Sequence, residues 1–458
     1  MMFNPKAQKA ALYIAEQVAA LGGKAYYVGG CVRDSILNKE AKDIDIEIFG
    51  LEAKDIEKIL SKRFKIESVG KSFGVWILKG YQIDVSMPRK ETKSGLGHKS
   101  FEIIGDPFLP VEEACARRDF TINAMLCDIL TGEIIDCYNG RQDIQNKVLR
   151  HTTDKFVEDP LRVLRAMQFA ARFDLDVAPE TVEISKTISI ENLPKERIFQ
   201  EWKKLLLKGN KISKGLFFLR DCNWVRYFPE LAELVDCPQD AIWHPEGDVY
   251  RHTAFCLDSF AKDRIGDERE DLIVGLSILC HDLGKPKCTV IEADGRIRSH
   301  GHDMVGGKVA KKFLKSITDE RAIIEEVTPL VERHMAILDL WRNKAGDSAI
   351  RRLANKVKRI DRLIRVDKAD REGRPPIIAE ESPQGQWILE RANELKIKDS
   401  APKPILMGRH LMELGIKPSF HFGKYLEECY EAQLDGKFFD LEGAIKYFKE
   451  NVKLVEIP

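Results

Sequence analysis

The sequence predicts an α+β protein, with a small mixed β-sheet head at the N-terminal end followed by a wholly helical remainder. Three observations carry this. Residues Tyr26 to Phe49 read as a strand-turn-helix-strand unit, KSFGVWILKGYQIDVSMPRK reads as two further strands about a Lys79-Gly80 turn, and from Ala166 onward apolar residues recur at helical spacing. The 458 residues suffice for about three domains, and the 44% hydrophobic content can supply several cores. The 73 basic and 73 acidic side chains cancel, so any nucleic-acid surface must be a local patch and not a basic tail.

In chain order, MMFNPKAQKAALYIAEQVAALGG is apolar only at helical spacing, through Ala11, Ile14, Val18 and Leu21. It predicts a packed helix ended by Gly22-Gly23, and neither a signal peptide nor a membrane span. Tyr26, Tyr27 and Val28 suit a strand running into Gly29-Gly30, where the missing Cβ lets backbone N–H groups approach a triphosphate, and Arg33 adds charge. VRDSILNK then opens a short helix. KDIDIEIF alternates as a half-buried strand, so Asp43, Asp45 and Glu47 share one face. Carboxylates two residues apart on a strand are hard oxygen ligands about 7 Å apart along the backbone that can converge on Mg2+, leaving positions for phosphate oxygens. Such a site would activate a hydroxyl and stabilise leaving pyrophosphate, the chemistry of nucleotidyl transfer. Asp84 is a candidate third carboxylate, with an exposed strand residue or a salt bridge as the alternative. The ten cysteines form no CxxC pair and predict ordinary thiols, without a disulfide framework or a zinc site.

The ordered motifs GGCVRD, KDIDIE, RRDFTINAM (Arg117 to Met125), DCYNGRQD (Asp136 to Asp143), EDPLRVLRAMQFAARF (Glu158 to Phe173) and PKERIFQEWKKLL (Pro194 to Leu206) resemble the CCA-adding tRNA nucleotidyltransferases and the bacterial-type poly(A) polymerases. This resemblance covers roughly the first 210 residues. It implies a polymerase-β-like head, Mg2+ on Asp43 and Asp45, and catalytic roles for Asp43, Asp45 and Asp84. It also implies nucleotide contacts from Gly29, Gly30, Arg33, Arg117, Arg118, Asp119 and Asn123. Asp119 and Asn123 are expected four apart on one helical face. The polar segment PRKETKSGLGHKSFEIIGDPFLP is expected to be a long loop, and its position corresponds to the flexible loop the family uses when adenosine is added. Asp136, Gly140 and Asp143 are expected to stabilise a turn closing the head.

Asp159 precedes Pro160, with Arg162 and Arg165 following at steps of three. A carboxylate accepts from the exocyclic amine of cytosine or adenine while a guanidinium donates to the adjacent ring acceptor. Guanine and uracil would oppose like groups and leave buried polar atoms unpaired. The resemblance implies that Asp159 and Arg162 read the base in this way and that Arg165 supports them. The alternative is a helix cap at Asp159 with solvated arginines. Glu196, Arg197 and Glu201 are expected to be charged supports between neck helices.

A second constellation comprises GDVYRHT, ILCHDLGKP, SHGHDMVGG, VERHM and LIRVDKADREGR. It resembles the HD phosphohydrolase domain, which implies a divalent transition metal held by His252, His281, Asp282 and Asp370, with His302 and His334 allowing a binuclear centre. Asp367 is the alternative last ligand, His300 is expected in solvent or behind the ligands, and His244 is expected to end the preceding linker. Lys285 is either a phosphate ligand or a loop cation. In the tail, Gly408, Arg409, Gly423 and Lys424 are candidate contacts for tRNA phosphates, with packing-only helices as the alternative.

The expected organisation is a catalytic head over 1–146, a helical neck over 147–240, an HD domain over 241–376 and a helical tail over 377–458. The expected activity is template-independent addition of CCA to the 3′ end of tRNA from CTP and ATP, in the cytoplasm and away from membranes. A poly(A) polymerase or A-adding enzyme would share the catalytic motifs. A protein that is chiefly an HD phosphohydrolase, with the head positioning RNA, is the reading from a different class. The oligomeric state stays open.

Overall fold

The computed structural model describes residues 4–40, 43–68, 74–93, 101–377 and 382–453, with side chains 90–93 and 101–104 outside the description. The chain divides into two compact units, residues 1–205 with 209–227, and residues 206–208 with 228–458. The first takes in the residues of the expected head and most of those of the expected neck.

The first unit begins with α1 (Pro5–Ala19), capped by the Asn4 side chain accepting from the Lys6 N–H and started by a proline that needs no donor there. It buries Ala11, Ile14 and Val18 and gives way to Gly22 at φ +82°, a left-handed conformation that suits glycine. Then follow β1 (Lys24–Val28), α2 (Gly30–Ile36), β2 (Ile44–Phe49), α3 (Ala53–Ser61), β3 (Ile66–Ser68), β4 (Val75–Leu78) and β5 (Ile83–Ser86). β6 (Arg89–Lys93) pairs antiparallel with β7 (Phe101–Gly105) as a separate ribbon. The segment expected as a long loop therefore carries a two-stranded ribbon at its flanks, and residues 94–100 lie outside the described residues. Arg89 to Lys93 are all polar, and Phe101, Ile103 and Ile104 of β7 do not alternate strictly with polar residues, so no period announced these strands.

The chain continues through α4 (Val111–Ala116), β8 (Leu126–Asp128), β9 (Ile134–Ile135), α5 (Gly140–Gln145), β10 (Val148–Leu149), α6 (Leu161–Phe173), β11 (Asp176–Val177), α7 (Pro179–Lys186), α8 (Lys195–Lys208) and α9 (Ile212–Asp221). The main sheet is seven-stranded in the order β3-β4-β5-β2-β1-β8-β9, and only the β2–β5 pair is parallel. Ile46, Ile48, Ile83 and Val85 fill one face against Ile14 and Val18 of α1. The opposite positions of β2 and β5 are left for polar side chains.

The DCYNGRQD turn is built as expected. Asp136 accepts from the N–H groups of Gly140 (2.8 Å) and Arg141 (2.9 Å), while Asp143 accepts from the Thr121 hydroxyl at 2.7 Å. At Gly140 an added Cβ would collide with the Thr121 carbonyl oxygen, so α5 packs directly on the short 3-10 turn Thr121–Asn123.

The second unit comprises α10 (Pro229–Ala232), α11 (Val249–Lys262), α12 (Glu268–Cys280), α13 (Lys285–Cys288), β12 (Thr289–Ile291), β13 (Ile297–Ser299), α14 (His302–Ile317), α15 (Arg321–Glu332), α16 (Ala336–Arg342), α17 (Asp347–Val357), α18 (Ile360–Glu372), α19 (Pro383–Glu394), α20 (Gly408–Glu413), α21 (Phe422–Leu434) and α22 (Leu441–Asn451). The expectation of a wholly helical remainder is thus corrected. β12–β13 form an antiparallel ribbon, and β10–β11 form a short parallel pair in the first unit. The tail has its own small core of Leu411, Tyr425, Cys429 and Phe448.

Gly140→Ala should destabilise the first unit by about 1–3 kcal/mol, because the added methyl meets backbone and not a flexible side chain. Chemical denaturation followed by circular dichroism measures it, and an unchanged midpoint would show that α5 and the 3-10 turn are not packed as described.

Candidate functional site

The site in the first unit is built where β1 ends. Gly29 lies at φ +71° and ψ −128°, a conformation a side chain would strain, and its Cα faces the Arg118 guanidinium, whose Nη1 would lie 3.0 Å from an added Cβ. Gly30 opens α2, and the Cys31 thiol donates to the Val28 carbonyl at 3.2 Å, closing the turn on its own strand.

Across β2, Asp45 is exposed while its neighbours Ile44 and Ile46 are buried. It stands directly opposite Asp84 on the parallel strand β5, and Asp84 is exposed on its strand in the same alternation. Asp43 is exposed at the bend before β2. Partial desolvation in the cleft, together with the charges of Asp84, Asp43 and Glu47, pushes the Asp45 carboxyl above its ordinary range against the pull of Arg118. Desolvation and the Asp43 charge likewise raise Asp84. Carboxylates set side by side on neighbouring strands repel one another, and a divalent cation relieves that repulsion with the oxygen ligands it prefers. This donor set fits a hard divalent metal.

Glu47 is on the same strand but differs from Asp43 and Asp45, because it is buried and its oxygens accept from Arg117 (2.8 Å) and Arg118 (3.2 Å). The two arginines expected at the nucleotide are thereby anchored to the sheet. The segment after them is not one helix. α4 ends at Ala116 and a single 3-10 turn covers Thr121–Asn123, which corrects the expected helical face. Asp119 and Asn123 still meet, through the Asn123 amide donating at 3.0 Å.

Asp119 also accepts from the Phe120 N–H at 2.9 Å and from Arg165 of α6 at 2.7 Å. Burial pushes its carboxyl up, but Arg165 and these hydrogen bonds outweigh it and hold it below the usual range. The Asn123 carbonyl oxygen in turn accepts from Arg33 Nη1 at 2.6 Å, while Arg33 Nε and Nη2 reach Asp34 at 2.9 and 2.7 Å. Arg33 lies buried over the Phe173 ring, 4.3 Å from its centroid, and its guanidinium packs against Gly30, where Nη2 would lie 3.5 Å from an added Cβ.

Asp159 caps the start of α6, accepting from the Leu161 N–H at 3.0 Å, and its other oxygen accepts from Arg197 at 3.1 Å. Arg162 is buried, not solvated, with its two terminal nitrogens donating to the carbonyls of Lys155 (2.6 Å) and Arg117 (2.7 Å). Arg165 sits on Asp119. Glu201 is buried with Lys204 at 2.7 Å. The structure therefore ties EDPLR to RRDFTINAM side by side.

A second cluster lies in the second unit. His252 on α11, His281 and Asp282 at the end of α12, His302 at the start of α14, His334 after α15 and Asp370 on α18 converge beside a cleft of ≈ 380 Å³. His252 Nε2 lies 3.0 Å from Asp370, and His302 Nε2 lies 3.3 Å from Asp282 and 3.1 Å from His334 Nε2. The Nδ1 atoms of His281, His302 and His334 lie 2.7, 2.7 and 2.8 Å from the carbonyl oxygens of Ile278, Ser299 and Val331. A carbonyl only accepts, so each Nδ1 donates and each neutral ring presents an Nε2 lone pair inward. Burial, and the cost of adding a further positive charge beside the His281 and His302 rings, push His334 down to about 4, keeping it in the neutral form a metal binds. His281 Nε2 and Asp282 Oδ2 lie buried 3.2 Å apart, with Lys285 Nζ 2.8 Å from the same carboxylate oxygen, and a bound cation would take both atoms as ligands.

Asp370 joins this cluster, whereas Asp367 is paired with Arg371 at 3.1 Å. Lys285 Nζ reaches Asp282 at 2.8 Å and the Gln239 side chain at 2.7 Å. His300 is exposed. His244 does more than end a linker, since it and His252 share the carboxylate of buried Glu246 at 2.9 and 2.7 Å. Sequence reasoning missed Glu246 and Cys256. Cys256 stands four residues after His252 on the same helix face, a spacing visible in the sequence but masked by the apolar run around it.

A glycine turn feeding a sheet whose parallel pair opposes two carboxylates defines a nucleotidyltransferase head, and residues 25–150 match the Poly A polymerase head domain. The Multifunctional CCA protein of Stenotrophomonas maltophilia (strain R551-3) is 34% identical over 382 residues, spanning 80% of this chain and 90% of that protein. The chain belongs to the multifunctional CCA protein family. Its fold is also that of the Bacillus stearothermophilus CCA-adding enzyme in complex with CTP (TM-score 0.66, 22% identity, 98% of both chains). The Thermotoga maritima CCA-adding enzyme complexed with tRNA gives a TM-score of 0.61 at 20% identity, over 98% of this chain and 96% of that one.

The folded-state pKa of Asp119 is depressed, so the group adds stability above its unfolded value of about 3.9 and loses it as pH falls through the folded value. Asp119→Asn should therefore be less stable than wild type at neutral pH, and the gap should narrow below about pH 4. Urea midpoints across that range test it, and a gap constant with pH would show that the carboxylate is not held in its charged form.

Proposed function

We propose that the protein adds C, C and A to the 3′ end of tRNA, taking CTP and ATP, with Asp43, Asp45 and Asp84 as the catalytic carboxylates. The observation that carries this reading is the opposed Asp45/Asp84 pair beside the Gly29-Gly30 turn in a chain of this family. Mg2+ held by Asp43 and Asp45 would supply charge stabilisation for the pentavalent phosphorus and the departing pyrophosphate. The chain's own residues do the rest. The Gly29-Gly30 backbone cradles the triphosphate, Arg117 and Arg118 face it from their anchorage on Glu47, and Asp84 accepts the proton of the attacking 3′-hydroxyl. Asp159 and Arg162 present an acceptor and donors that suit cytosine and adenine together. The aqueous chemistry and the absence, among the described residues, of a helix long and apolar enough to cross a membrane suit a cytoplasmic enzyme.

Incubation with tRNAs lacking their last one, two or three nucleotides, supplied with CTP and ATP separately and together, separates full CCA addition from A-only or poly(A) addition. Asp45→Asn should lower the turnover on each substrate by on the order of 10²–10³ while leaving tRNA affinity nearly unchanged. Near wild-type turnover would rule out the metal assignment.

A second activity is favoured by the close approach of the His302 and His334 Nε2 atoms to each other (3.1 Å) and of His302 to Asp282 (3.3 Å) beside the cleft. We infer that His252, His281, Asp282 and Asp370, with His302 and His334, hold a transition metal that serves phosphoester hydrolysis in the adjoining cleft. The His281→Ala, Asp282→Ala double variant should lose bound metal and phosphoesterase activity on phosphorylated or cyclic-phosphate RNA ends and retain nucleotide addition. Metal analysis paired with both assays decides it, and a wild-type protein that binds metal yet hydrolyses none of these esters would reduce the cluster to a structural role.

A further inference from the structure

We infer that Cys256 is itself a metal ligand, so that one half of the histidine–aspartate cluster is a mixed sulfur, nitrogen and oxygen site and not a purely histidine–carboxylate one. The inference rests on the metal-binding reading above and refines its ligand set. Cys256 Sγ lies 3.3 Å from His252 Nε2, which in turn lies 3.0 Å from Asp370. His252, Cys256, His281 and Asp370 each offer one donor atom, all within 4.8 Å of one another. With metal–sulfur bonds of about 2.3 Å and metal–nitrogen bonds of about 2.0–2.1 Å, neighbouring ligand atoms of a tetrahedral site stand about 3.3–3.6 Å apart, so the Cys256–His252 and His252–Asp370 separations need little adjustment and the remaining ones, none above 4.8 Å, draw in as the metal binds. The remaining donors, Asp282, His302 and His334, form a second group within the same limit, which divides the cluster into two sites of different chemistry.

Two further observations bear on the sulfur. His281 Nε2 is buried, belongs to the same four-residue group and lies 3.2 Å from Asp282 Oδ2, a carboxylate oxygen already paired with Lys285, so its lone pair is available to a metal. Gly373, just past the helix that carries Asp370, leaves the space the thiol occupies, since a Cβ there would collide with Cys256 Sγ. The thiol is thereby confined beside the histidine. On binding, the S–H bond breaks, the proton passes to bulk buffer, and the thiolate lone pair forms the metal–sulfur bond with no change of oxidation state. A thiolate favours zinc, cobalt and similar borderline ions over magnesium and calcium, which a set of histidines and carboxylates discriminates less sharply.

Cobalt(II) titration of the metal-stripped full chain tests this. The wild type should give visible ligand-field bands together with a near-ultraviolet thiolate-to-cobalt charge-transfer band that survives a large excess of Mg2+. Cys256→Ser should keep the visible bands, lose the charge-transfer band and bind cobalt at least about tenfold more weakly. Visible bands without the charge-transfer band in the wild type would overturn the ligand role of Cys256 and leave the histidine–aspartate site standing. A charge-transfer band unchanged in Cys256→Ser would assign the sulfur to another cysteine and also overturn it. No cobalt bands at all would overturn the metal site as a whole. Should Cys256→Ser not fold, X-ray absorption at the cobalt edge of the wild type decides the matter, with one sulfur neighbour at about 2.3 Å expected and only nitrogen and oxygen neighbours excluding it.

Discussion

The arrangement of the first unit depends on one buried carboxylate. Asp119 holds Arg165 of α6, the Asn123 amide and the Phe120 N–H, and Asn123 passes the constraint on to Arg33 behind the glycine turn. Three pieces of chain distant in sequence are thus fixed by charge-assisted hydrogen bonds around a single group. Removing one member of such a network leaves the others desolvated and unpaired, which is why it holds position more strictly than apolar packing alone. The preceding residues complete the attachment, because Arg117 and Arg118 reach in the other direction to Glu47 on the strand that carries Asp45. One short segment therefore sets the distance between the carboxylate pair and the start of α6.

The second unit applies the same physics to neutral rings. The carbonyls of Ile278, Ser299 and Val331 fix the tautomers of three histidines three residues later in each case, and Glu246 does so for His252 and His244. The orienting groups are local, since Ile278 and Val331 lie in the last turns of α12 and α15, where a carbonyl lacks the i+4 donor of the helix interior, and Ser299 ends β13. This explains why His281 and His334 stand just beyond helix C-termini. The carboxylates arrive from elsewhere, and Lys285 and Arg374 offset their charge at 2.8 and 2.9 Å.

Much of this was legible in the sequence because it is local. The α1 periodicity, the strands on either side of Lys79-Gly80 and the Asp136 turn follow from spacing and turn chemistry within a few residues. The histidines and aspartates of the second cluster were legible by motif order. The ribbon β6–β7 was not, because β6 is polar at every position and the short Phe101-Glu102-Ile103-Ile104 run of β7 does not alternate, so neither strand has a period to detect. The helical face expected for Asp119 and Asn123 failed for a related reason. Their four-residue spacing fits a helix, but here the contact is made by a 3-10 turn and a side-chain hydrogen bond, with long-range pairing to Arg165 overriding local preference. Glu246 was invisible because it functions only through a fold that returns His252 to it, and Cys256 because a cysteine in an apolar helix reads as core.

The internal bonds of Asp159 and Arg162 bear on how a protein reads a base without a template. Discrimination between cytosine and uracil, or adenine and guanine, needs an acceptor and donors whose planes are set before the base arrives, since a mobile side chain would adapt to either edge and lose the energetic difference. Asp159 is oriented by the Leu161 N–H and by Arg197, and Arg162 by the carbonyls of Lys155 and Arg117. Under the proposed role the capping geometry is compatible with base reading, since it fixes the carboxylate plane. The same carboxylate that starts α6 is immobilised by starting it, and Arg162 has five N–H donors, more than the two its backbone contacts require. Because one of those contacts is the Arg117 carbonyl, Arg162 and the arginines on Glu47 share a single piece of backbone, so a shift of one would also move the other. Under the proposed roles, selection of the base and contact with the phosphates would be coupled through that backbone.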